Sequence, residues 1–127
     1  MVSLRPGTDN YYMFQANADS PDMGQFALVD EIADQGRNHA IKLVAFGIYG
    51  VYRGKGYGQQ MLREAIEEAN RIRGNRRLFL WVMRNNTKAI HIYEKHGFKI
   101  TDECGQNAWE MTYVGDRLNS NDQEYLR

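Results

Sequence analysis

The first half of the chain alternates apolar and polar positions, which is the pattern of strands with one buried face. Residues 2–6 predict a short strand, and residues 11–16 predict a strand or a short helix, with the run Tyr-Tyr-Met-Phe favouring the strand. Two further strands are predicted at residues 25–31 and 40–48. Turns are predicted before and between these two strands, at residues 20–24 and 34–38. Because the turn between them is short, we expect these two strands to pair as an antiparallel hairpin.

The middle of the chain changes to helical periodicity. Residues 59–73 place a set of apolar side chains on one helical face, namely Met61, Leu62, Ala65, Ile66, Ala69 and Ile72. Gly74 is predicted to end this helix in a left-handed conformation. Residues 77–83 then predict a mostly apolar strand. A strand, a helix and a strand in this order predict a right-handed crossover, with residues 40–48 and 77–83 as a parallel pair.

The last third predicts a short helix and two strands. The helix spans residues 87–95, is capped by Asn85 or Asn86 and ends at Gly97. Its inner face carries four residues, Ala89, Ile90, Ile92 and Tyr93. Strands follow at residues 98–104 and 108–114, on either side of a turn at 105–107. Residues 115–127 are polar without periodicity, so we predict one domain over residues 1–114 and a mobile tail over 115–127.

Composition narrows the class of protein. A chain of 127 residues, 43% of them hydrophobic, is long enough for one domain with one core. It contains neither an apolar run near the roughly 20 residues of a membrane span nor a signal-peptide pattern at its start. A single cysteine, Cys104, excludes an internal disulfide and a cysteine metal cage. We therefore predict a cytoplasmic protein with no membrane interaction and no metal site.

Charge is balanced overall but not along the chain. With 16 basic and 16 acidic residues, the formal net charge is zero, which gives no support to a nucleic-acid-binding role. Residues 53–77 carry seven basic and three acidic side chains, a net charge of +4. Residues 1–52 carry three basic and six acidic side chains, a net charge of −3. A polyanionic cofactor would favour the first of these segments and a cationic substrate the second, although either charge run is also compatible with a solvated surface.

A glycine-rich loop joins the strand at 40–48 to the helix at 59–73, and its residues are Arg53, Gly54, Lys55, Gly56, Tyr57 and Gly58. The first N–H groups of a helix have no partner within the helix, and the helix dipole places about half a positive charge there. Glycines allow a ligand to approach the backbone closely, while Arg53 and Lys55 add full positive charges. A strand, a glycine loop and a helix start in this order therefore predict a site for an anion such as a phosphate.

The spacing within the loop distinguishes between known phosphate-binding loops. No Lys-Ser or Lys-Thr pair follows the glycines, which excludes a P-loop. The dinucleotide fingerprint requires a third glycine where Gln59 stands, so it is excluded as well. The spacing that fits is R-x-x-G-x-G, formed by Arg53, Gly56 and Gly58. This resembles the acetyl-CoA pyrophosphate loop of the GCN5-related N-acetyltransferases, the GNAT family, and residues 46–52 resemble the fourth strand of that family and the turn after it.

A second motif, at residues 86–98, carries the same resemblance. The GNAT family has a similar N-x-x-A-x-x-x-Y-x-x-x-G-F stretch on the helix after its fifth strand, matched here by Asn86, Ala89, Tyr93, Gly97 and Phe98. Asn86, Ala89, Gly97 and Phe98 also have ordinary structural roles as a cap, a small contact residue, a helix end and a core residue. Two motifs in the expected order, on the expected elements, make a chance match improbable. The resemblance extends over residues 24–114.

The resemblance implies a fold class and a cofactor. The expected fold is α/β (α+β), with a GNAT-like mixed and mostly antiparallel sheet, central splayed parallel strands and two flanking helices. The family usually has two helices between its first and second strands, and residues 6–18 are too few for both, so these N-terminal helices are expected to be reduced or absent. The expected cofactor is acetyl-CoA (coenzyme A). By resemblance its binding residues are Phe46, Ile48, Arg53, Gly54, Lys55, Gly56, Tyr57, Gly58, Asn86 and Tyr93.

The resemblance also implies a mechanism. The pantetheine arm would enter a gap between the splayed strands and pair with the backbone of Phe46 and Ile48, and the Ile48 N–H would polarise the thioester carbonyl. A deprotonated amine would attack this carbonyl directly, so that Cys104 is not required as a nucleophile. Tyr93 would donate a proton to the leaving thiolate as general acid. In a protein of another family, a helical tyrosine such as Tyr93 would be an ordinary core residue.

The general base is the part of the mechanism for which the chain departs from the family. Many members carry an acidic residue on the fourth strand, whereas Val44 and Ala45 stand near that position here. Glu31, on the preceding strand, is the candidate base. The alternatives are Asp30, His39, His91 and Glu110.

Two functional hypotheses follow. The first is an acetyl-CoA-dependent N-acetyltransferase acting on a small-molecule amine or on a protein or peptide amine, and possible homodimer formation would cover an otherwise open substrate site. The second is a non-catalytic module that binds or senses acyl-CoA, favoured by the missing acid on the fourth strand. An interaction domain without a cofactor would require both motifs to be accidental.

Overall fold

The structure of the protein is a computed structural model that describes residues 3–7, 10–33 and 38–115. The described chain contains seven strands and two α-helices. In chain order they are β1 (Ser3–Pro6), β2 (Tyr11–Gln15), β3 (Asp22–Ala33), β4 (Asn38–Ile48), α1 (Tyr57–Arg73), β5 (Arg77–Met83), α2 (Thr87–Lys95), β6 (Phe98–Cys104) and β7 (Ala108–Tyr113). This mixed α/β content, with mostly antiparallel pairing, is the predicted fold class. Neither described helix combines the length and the apolar character that crossing a membrane requires.

The chain divides into two compact units, Met1–Leu78 and Phe79–Arg127. In the first unit, β1, β2, β3 and β4 pair in that order as antiparallel neighbours. One face of this sheet packs against α1. Two contacts show this: the Tyr57 ring meets Phe14 edge-on, and the Tyr12 hydroxyl donates to Glu68. The core between them is apolar and consists mainly of Phe14, Phe26, Leu28, Ile41, Leu43, Met61, Leu62, Ala65 and Ala69. Burial of this set holds α1 on the sheet and fixes where the helix begins.

The start of β3 corrects the turn predicted at residues 20–24. Asp22, Met23 and Gly24 already belong to the strand, and Gly24 stands between Phe14 of β2 and Ile48 of β4. A Cβ atom at Gly24 would lie 2.7 Å from the carbonyl oxygen of Gly47. The glycine is therefore required by the close approach of two strands, whereas the prediction treated it as a sign of a turn.

Other boundaries differ by a few residues. β4 begins at Asn38, which the prediction placed in a turn, and residues 34–37 of that turn lie outside the described residues. The first helix begins at Tyr57 instead of Gln59. The strand predicted at 108–114 ends at Tyr113, and the predicted tail beyond Gly115 lies outside the described residues.

Several element predictions are confirmed. Residues 11–15 form a strand, and the predicted bounds of β5, α2 and β6 are those observed. The antiparallel pairing of β3 with β4 is also confirmed. Of the predicted inner face of α1, all members except Ile72 are buried. Gly74 ends α1 with a positive φ of 57°, although its ψ of −121° is not that of a left-handed helix.

The second unit has its own antiparallel sheet, in which β7 pairs with β5 on one side and with β6 on the other. The helix α2 lies on one face of this sheet, because Tyr93 packs edge-on against Phe98, and Phe98 in turn against Tyr113. The parallel, splayed pairing predicted for β4 and β5 stays a prediction, because β4 belongs to the first unit and most of β5 to the second. The same holds for the prediction of one domain over residues 1–114.

The connection between β1 and β2 confirms the expected lack of N-terminal helices between them. Only residues 7–10 join the two strands, and the N–H of Gly7 donates to the carbonyl of Tyr11 at 2.8 Å. A connection this short has no room for a helix. On the sheet face opposite α1, Arg5, Gly7, Tyr11 and Met13 line an open cavity of about 430 Å³.

Candidate functional site

The glycine loop begins from a fixed strand end. The N–H of Tyr49 donates to the carbonyl of Met23 at 2.8 Å, which continues the β3–β4 ladder past Ile48. A short 3₁₀ turn, Gly50–Tyr52, follows and closes with a bond from the Arg53 N–H to the Gly50 carbonyl at 3.2 Å. The loop from Arg53 to Gly58 is therefore anchored on the strand side before it reaches α1.

Two glycines give the loop its conformation. Gly54 and Gly56 have φ angles of 77° and 84°, which side chains other than glycine rarely adopt. A Cβ atom at either position would meet no heavy atom within 4 Å, so the backbone there borders open space. Both requirements agree with a surface that a ligand approaches closely, as the sequence predicted.

The start of α1 has the electrostatics of an anion site. Its N-cap is Gly56, which makes no side-chain cap bond, and the first turn contains no acidic residue. The helix dipole at this end is therefore not neutralised by a carboxylate of the first turn. Lys55 is exposed next to it. This arrangement favours a phosphate or pyrophosphate group over a cation.

The Arg53 side chain links the loop to the end of β4. Its Nε donates to the carbonyl oxygen of Ile48 at 2.9 Å. A guanidinium has five N–H donors in a fixed fork, so one bond through Nε orients the plane of the group. The residue is exposed, which places this oriented cation at the surface of the loop.

A bulge in β4 precedes the loop, and no sequence prediction anticipated it. Ala27 pairs with Val44, and Gln25 with Gly47, so that Ala45 and Phe46 stand opposite Phe26 alone. Ala45 adopts a φ of 55°, which is unusual for a residue with a side chain. A bulge bends its strand and turns the following residues, here Phe46 to Ile48, relative to the partner strand.

The hydrogen-bond pattern after the bulge defines where the backbone of Ile48 points. Ile48 is opposite Gly24, and the neighbouring hydrogen bond runs from the Tyr49 N–H to the Met23 carbonyl. In an antiparallel ladder this makes Ile48 and Gly24 a non-hydrogen-bonded pair, whose own N–H and C=O groups point away from each other's strand. The Ile48 C=O points to Arg53, and its N–H lies on the same edge of β4.

In the second unit, Asn86 and Tyr93 occupy the two ends of α2. The Asn86 Oδ1 accepts from the Ala89 N–H at 3.2 Å, which confirms Asn86, and not Asn85, as the helix cap. The Tyr93 ring lies 5.9 Å from that of Phe98, at an interplanar angle of 67°. Burial raises the pKa of the Tyr93 hydroxyl above its ordinary value of 10.0. The phenol is therefore protonated at neutral pH, as a proton donor must be.

The candidate bases are scattered. Glu31 is exposed and stands opposite Ala40 on β4, eight residues before Ile48. Eight residues of strand span roughly 26 Å, so Glu31 and Ile48 lie at opposite ends of β4. Asp30 forms an ion pair with Arg76 at 2.5 Å, and His39 is exposed near Glu31.

The remaining candidates belong to the second unit. His91 is exposed on α2, and Glu110 accepts a bond from Trp81. Cys104 is a half-buried residue at the end of β6. Among the described residues, no group of three or more His, Cys, Asp or Glu side chains is placed to hold a metal ion.

Comparison with known sequences gives relatives among acetyltransferases. The chain is 47% identical over 57 residues to an uncharacterized N-acetyltransferase, YycN, of Bacillus subtilis, covering 45% of this chain and 36% of that protein. It is 30% identical over 82 residues to the spermine/spermidine N(1)-acetyltransferase of Bacillus subtilis, covering 65% of this chain and 54% of that one. The chain thus spans about a third to a half of the length of these relatives.

Solved structures show the same fold. A spermidine N-acetyltransferase chimera from Vibrio cholerae and hSSAT superposes with a TM-score of 0.69 at 22% identity, over 88% of this chain and 71% of that one. Arabidopsis thaliana Naa50, in complex with a bisubstrate analogue, gives a TM-score of 0.63 at 21% identity, over 84% and 73% of the two chains. Residues 23–98, which include both motifs, match the profile of the acetyltransferase (GNAT) family. Since this match covers more than half of its length, the chain belongs to the GNAT acetyltransferase family.

Proposed function

We propose that this protein is an N-acetyltransferase that transfers the acetyl group of acetyl-CoA to a primary amine by direct attack. The observation that carries the proposal is the glycine loop, whose two positive-φ glycines border open space at an α1 start without an acidic first turn. Family membership makes coenzyme A the polyanion that this loop would hold. The names of the relatives, among them a spermine/spermidine acetyltransferase, support an amine as the acceptor.

The loop would bind the pyrophosphate of coenzyme A. The N–H groups at the start of α1, from Tyr57 and Gly58 onwards, donate to phosphate oxygens, and Gly54 and Gly56 allow the close approach. Lys55 and the oriented guanidinium of Arg53 supply positive charge. Asn86, the cap of α2, and Tyr93 are also proposed cofactor-binding residues.

The thioester would be held by the backbone of β4 after its bulge, at Phe46 and Ile48. The edge of β4 that carries the Ile48 N–H faces away from β3, as the pairing with Gly24 requires. A backbone N–H in this orientation stabilises the negative charge that develops on the thioester oxygen during attack.

The chemical step would then proceed without a covalent enzyme intermediate. The lone pair of the amine nitrogen forms the new C–N bond, the C–S bond breaks, and the thiolate receives a proton from the Tyr93 hydroxyl. The nitrogen releases its extra proton to solvent or to a base, and Tyr93 regains its proton from solvent. Cys104 has no part in this sequence.

The experiment that tests this function is an assay of coenzyme A release across a panel of primary amines, combined with calorimetry of acetyl-CoA binding. Gly56→Asp would place a negative charge and a strained side chain in the proposed pyrophosphate site. We expect this variant to lose acetyl-CoA binding and turnover while its circular dichroism stays that of the wild type.

A matched control is available in Gly105→Asp. Gly105 also has a positive φ, 66°, and also borders open space, but it lies in the turn between β6 and β7. This variant introduces the same strain and charge away from the loop, and acetyl-CoA binding should be unchanged. Equal affinities of Gly56→Asp and wild type would refute the assignment of the loop.

A second candidate function is a non-catalytic acyl-CoA-binding module. It is favoured by the absence of an acidic side chain at Val44 and Ala45 and by the distance of Glu31 from Ile48 along β4. Under this hypothesis acetyl-CoA binds through the same loop and Gly56→Asp abolishes binding. No amine in the panel would release coenzyme A above the buffer rate.

A further inference from the structure

A tyrosine and a glutamine form a hydrogen-bonded pair where β4 ends. The hydroxyl of Tyr49, the residue after β4, donates to the Oε1 of Gln25 on β3 at 3.1 Å. Both residues belong to the first unit, as does Ile48. Tyr49 is 37% exposed and Gln25 is half-buried, so the pair is accessible from solvent.

The pair lies on the sheet face opposite α1. The Ile48 side chain faces α1, because a Cβ atom at Gly58, in the first turn of that helix, would lie 3.9 Å from its Cγ1. Side chains alternate along a strand, so Gly47 and Tyr49 belong to the other face. Gly47 stands directly opposite Gln25. Because the Tyr49 ring reaches Gln25, its hydroxyl lies over this face, beside the peptide that carries the Ile48 N–H.

The space over Gly47 is open. A Cβ atom added there would meet no heavy atom within 4 Å. Packing therefore does not require this glycine, and its missing side chain leaves room on the face that carries Tyr49. A small group placed over Gly47 would be next to the Tyr49 hydroxyl and next to the peptide whose N–H would hold the thioester oxygen.

The bond to Gln25 determines what the Tyr49 hydroxyl offers to such a group. A phenol has one proton to donate, and its oxygen also accepts hydrogen bonds. The proton is used in the bond to the Gln25 Oε1, so the Tyr49 oxygen remains as an acceptor. An amine presents N–H groups to an acceptor, and a bond through one of them fixes the direction of the nitrogen lone pair. Orientation of a nucleophile in this way lowers the entropic part of the barrier.

We propose that the Tyr49 hydroxyl accepts a hydrogen bond from the attacking amine and that Gln25 holds the hydroxyl in the orientation that allows it. Tyr49 then contacts the acceptor substrate, and Gln25 is a positioning residue that acts through Tyr49. The inference rests on the proposed function and adds to it the group that receives the amine. As the C–N bond forms and the C–S bond breaks, the extra proton of the nitrogen passes to water, and Tyr49 keeps its own proton.

Steady-state kinetics of Tyr49→Phe on the full chain tests the proposal, with the amine of the panel that gives the highest turnover. The variant keeps the ring and removes only the hydroxyl. We expect kcat/KM for the amine to fall about threefold to thirtyfold, the range of one hydrogen bond to a neutral or a charged group. The KM for acetyl-CoA should stay the same, because the glycine loop and the β4 backbone are unchanged.

Variants of Gln25 test the positioning role. Gln25→Leu removes the acceptor of the Tyr49 proton, so that the hydroxyl can turn and present its proton to the amine. We expect kcat/KM for the amine to fall in this variant, but by less than in Tyr49→Phe. Gln25→Glu keeps an oxygen acceptor at the same length and should restore at least the wild-type value. Equal amine kinetics in Gln25→Leu and wild type would show that Gln25 does not position Tyr49.

Tyr11→Phe is the matched control. Tyr11 is also 37% exposed and lies on the same sheet face, opposite Ala27, but on β2, one strand further from β4. Loss of this hydroxyl should leave the amine kinetics unchanged. A decrease as large as that in Tyr49→Phe would contradict a specific role of Tyr49.

A binding measurement without turnover separates this inference from the proposed function. Butylamine is titrated into the coenzyme A complex of each protein and followed by NMR. Binding that is weaker in Tyr49→Phe than in Tyr11→Phe supports the inference even if no amine is acetylated, and only the proposed activity then fails. Wild-type kinetics and binding in Tyr49→Phe would disprove only the inference. A wild type that neither acetylates nor binds a primary amine would disprove both.

Discussion

At the scale of single residues, the hydroxyl of Tyr93 has the most specific of the proposed chemical roles. Replacing it by phenylalanine keeps the ring that packs on Phe98 and removes only the proton donor. General acid catalysis is typically worth about 10²–10⁴ in rate, and a thiolate is a good leaving group, so we expect Tyr93→Phe to lower kcat about 10²-fold, or roughly 3 kcal/mol of barrier. The affinity for acetyl-CoA should stay the same.

Tyr113→Phe is the control for this variant, because Tyr113 contacts the same Phe98 ring from β7. Its kcat should match the wild type if the effect at Tyr93 is specific to the proton. Since burial raises the pKa of Tyr93, the wild-type rate should show no loss from its ionisation below about pH 10. Full kcat in Tyr93→Phe would mean that the proton comes from solvent.

Glu31 provides the second prediction at this scale. Because it lies roughly 26 Å along β4 from Ile48, it is out of reach of an amine that attacks a carbonyl held by the Ile48 N–H. We therefore expect Glu31→Gln to keep kcat within about twofold of the wild type, where loss of a general base would cost at least about 10². Steady-state kinetics with an accepted amine decides this. A loss of that size would restore Glu31 as the base and place the thioester elsewhere.

Some residues of the candidate site are predictable from sequence and others are not. Gly56 and Asn86 follow from their positions at helix starts, since N-caps and anion loops have strong residue preferences. Ala45 gives no such signal, because alanine at a positive φ is determined by the pairing of β3 with β4 and not by its own preference. Tyr49 was predicted only as part of the stretch that resembles the fourth strand and its turn, because its bond to Gln25 joins two strands and leaves no local pattern.

At the scale of elements, the contact between β3 and β4 depends on two glycines that are not equivalent. A Cβ at Gly24 would lie 2.7 Å from the Gly47 carbonyl oxygen and 2.8 Å from Cδ1 of Ile48, whereas a Cβ at Gly47 would meet nothing within 4 Å. Gly24→Ala should therefore lower the free energy of unfolding by about 1–3 kcal/mol. Gly47→Ala should change it by less than about 0.5 kcal/mol. Urea unfolding of both variants checks the difference, and equal stabilities would contradict this close approach.

The contact between β2 and α1 includes a polar bridge. The Tyr12 hydroxyl donates to Glu68 at 3.0 Å, and Glu68 also accepts from Arg71. Burial, and then the bond to Glu68, raise the pKa of Tyr12, while the bond from Arg71 is the main cause of the lowered pKa of Glu68. Tyr12→Phe should cost about 1 kcal/mol at neutral pH, or a Tm lower by about 4 °C for a domain of this size.

The pH dependence gives this prediction a second test. A lowered pKa means that the contribution of ionised Glu68 is present above its unfolded value and is lost as the pH falls through the folded value. The stability difference between Tyr12→Phe and wild type should therefore shrink below about pH 4. Tyr11→Phe, an exposed neighbour on the other face of β2, should leave the Tm unchanged at every pH. A difference between Tyr12→Phe and wild type that is independent of pH would show that Glu68 is not the acceptor.

The sequence predicts the elements themselves well, and the physical reason is their periodicity. The bounds of α2 and β6 agree with the prediction because each ends at a clear stop signal, Gly97 for α2 and the turn at 105–107 for β6. The predicted start of β3 was wrong because Gly24 fits the composition of a turn, while its role depends on strand partners 10 and 24 residues away, at Phe14 and Ile48. The local sequence pattern around Gly24 does not predict such a long-range contact.

At the scale of the whole molecule, the sequence predicts the fold through two motifs, and the comparisons confirm the family over residues 23–98. The N-terminal part departs from the family pattern, because only four residues, 7–10, separate β1 from β2. Composition described the chain as neutral overall, with a net charge of +4 in residues 53–77. That segment contains the loop and all of α1, so the positive charge lies on the same stretch of chain as the proposed polyanion site.

The bond from Arg53 to the Ile48 carbonyl joins the proposed binding loop for the donor's pyrophosphate to the place where the donor's carbonyl would react. A nucleotide bound to the Arg53 guanidinium would restrain the segment at Ile48, whose N–H would stabilise the developing oxyanion. Contacts far from the thioester would then lower the activation barrier as well as increase the affinity for the donor. Acetyl-pantetheine lacks the nucleotide and would lose this restraint. We expect it to have a lower kcat at saturation as well as a higher KM.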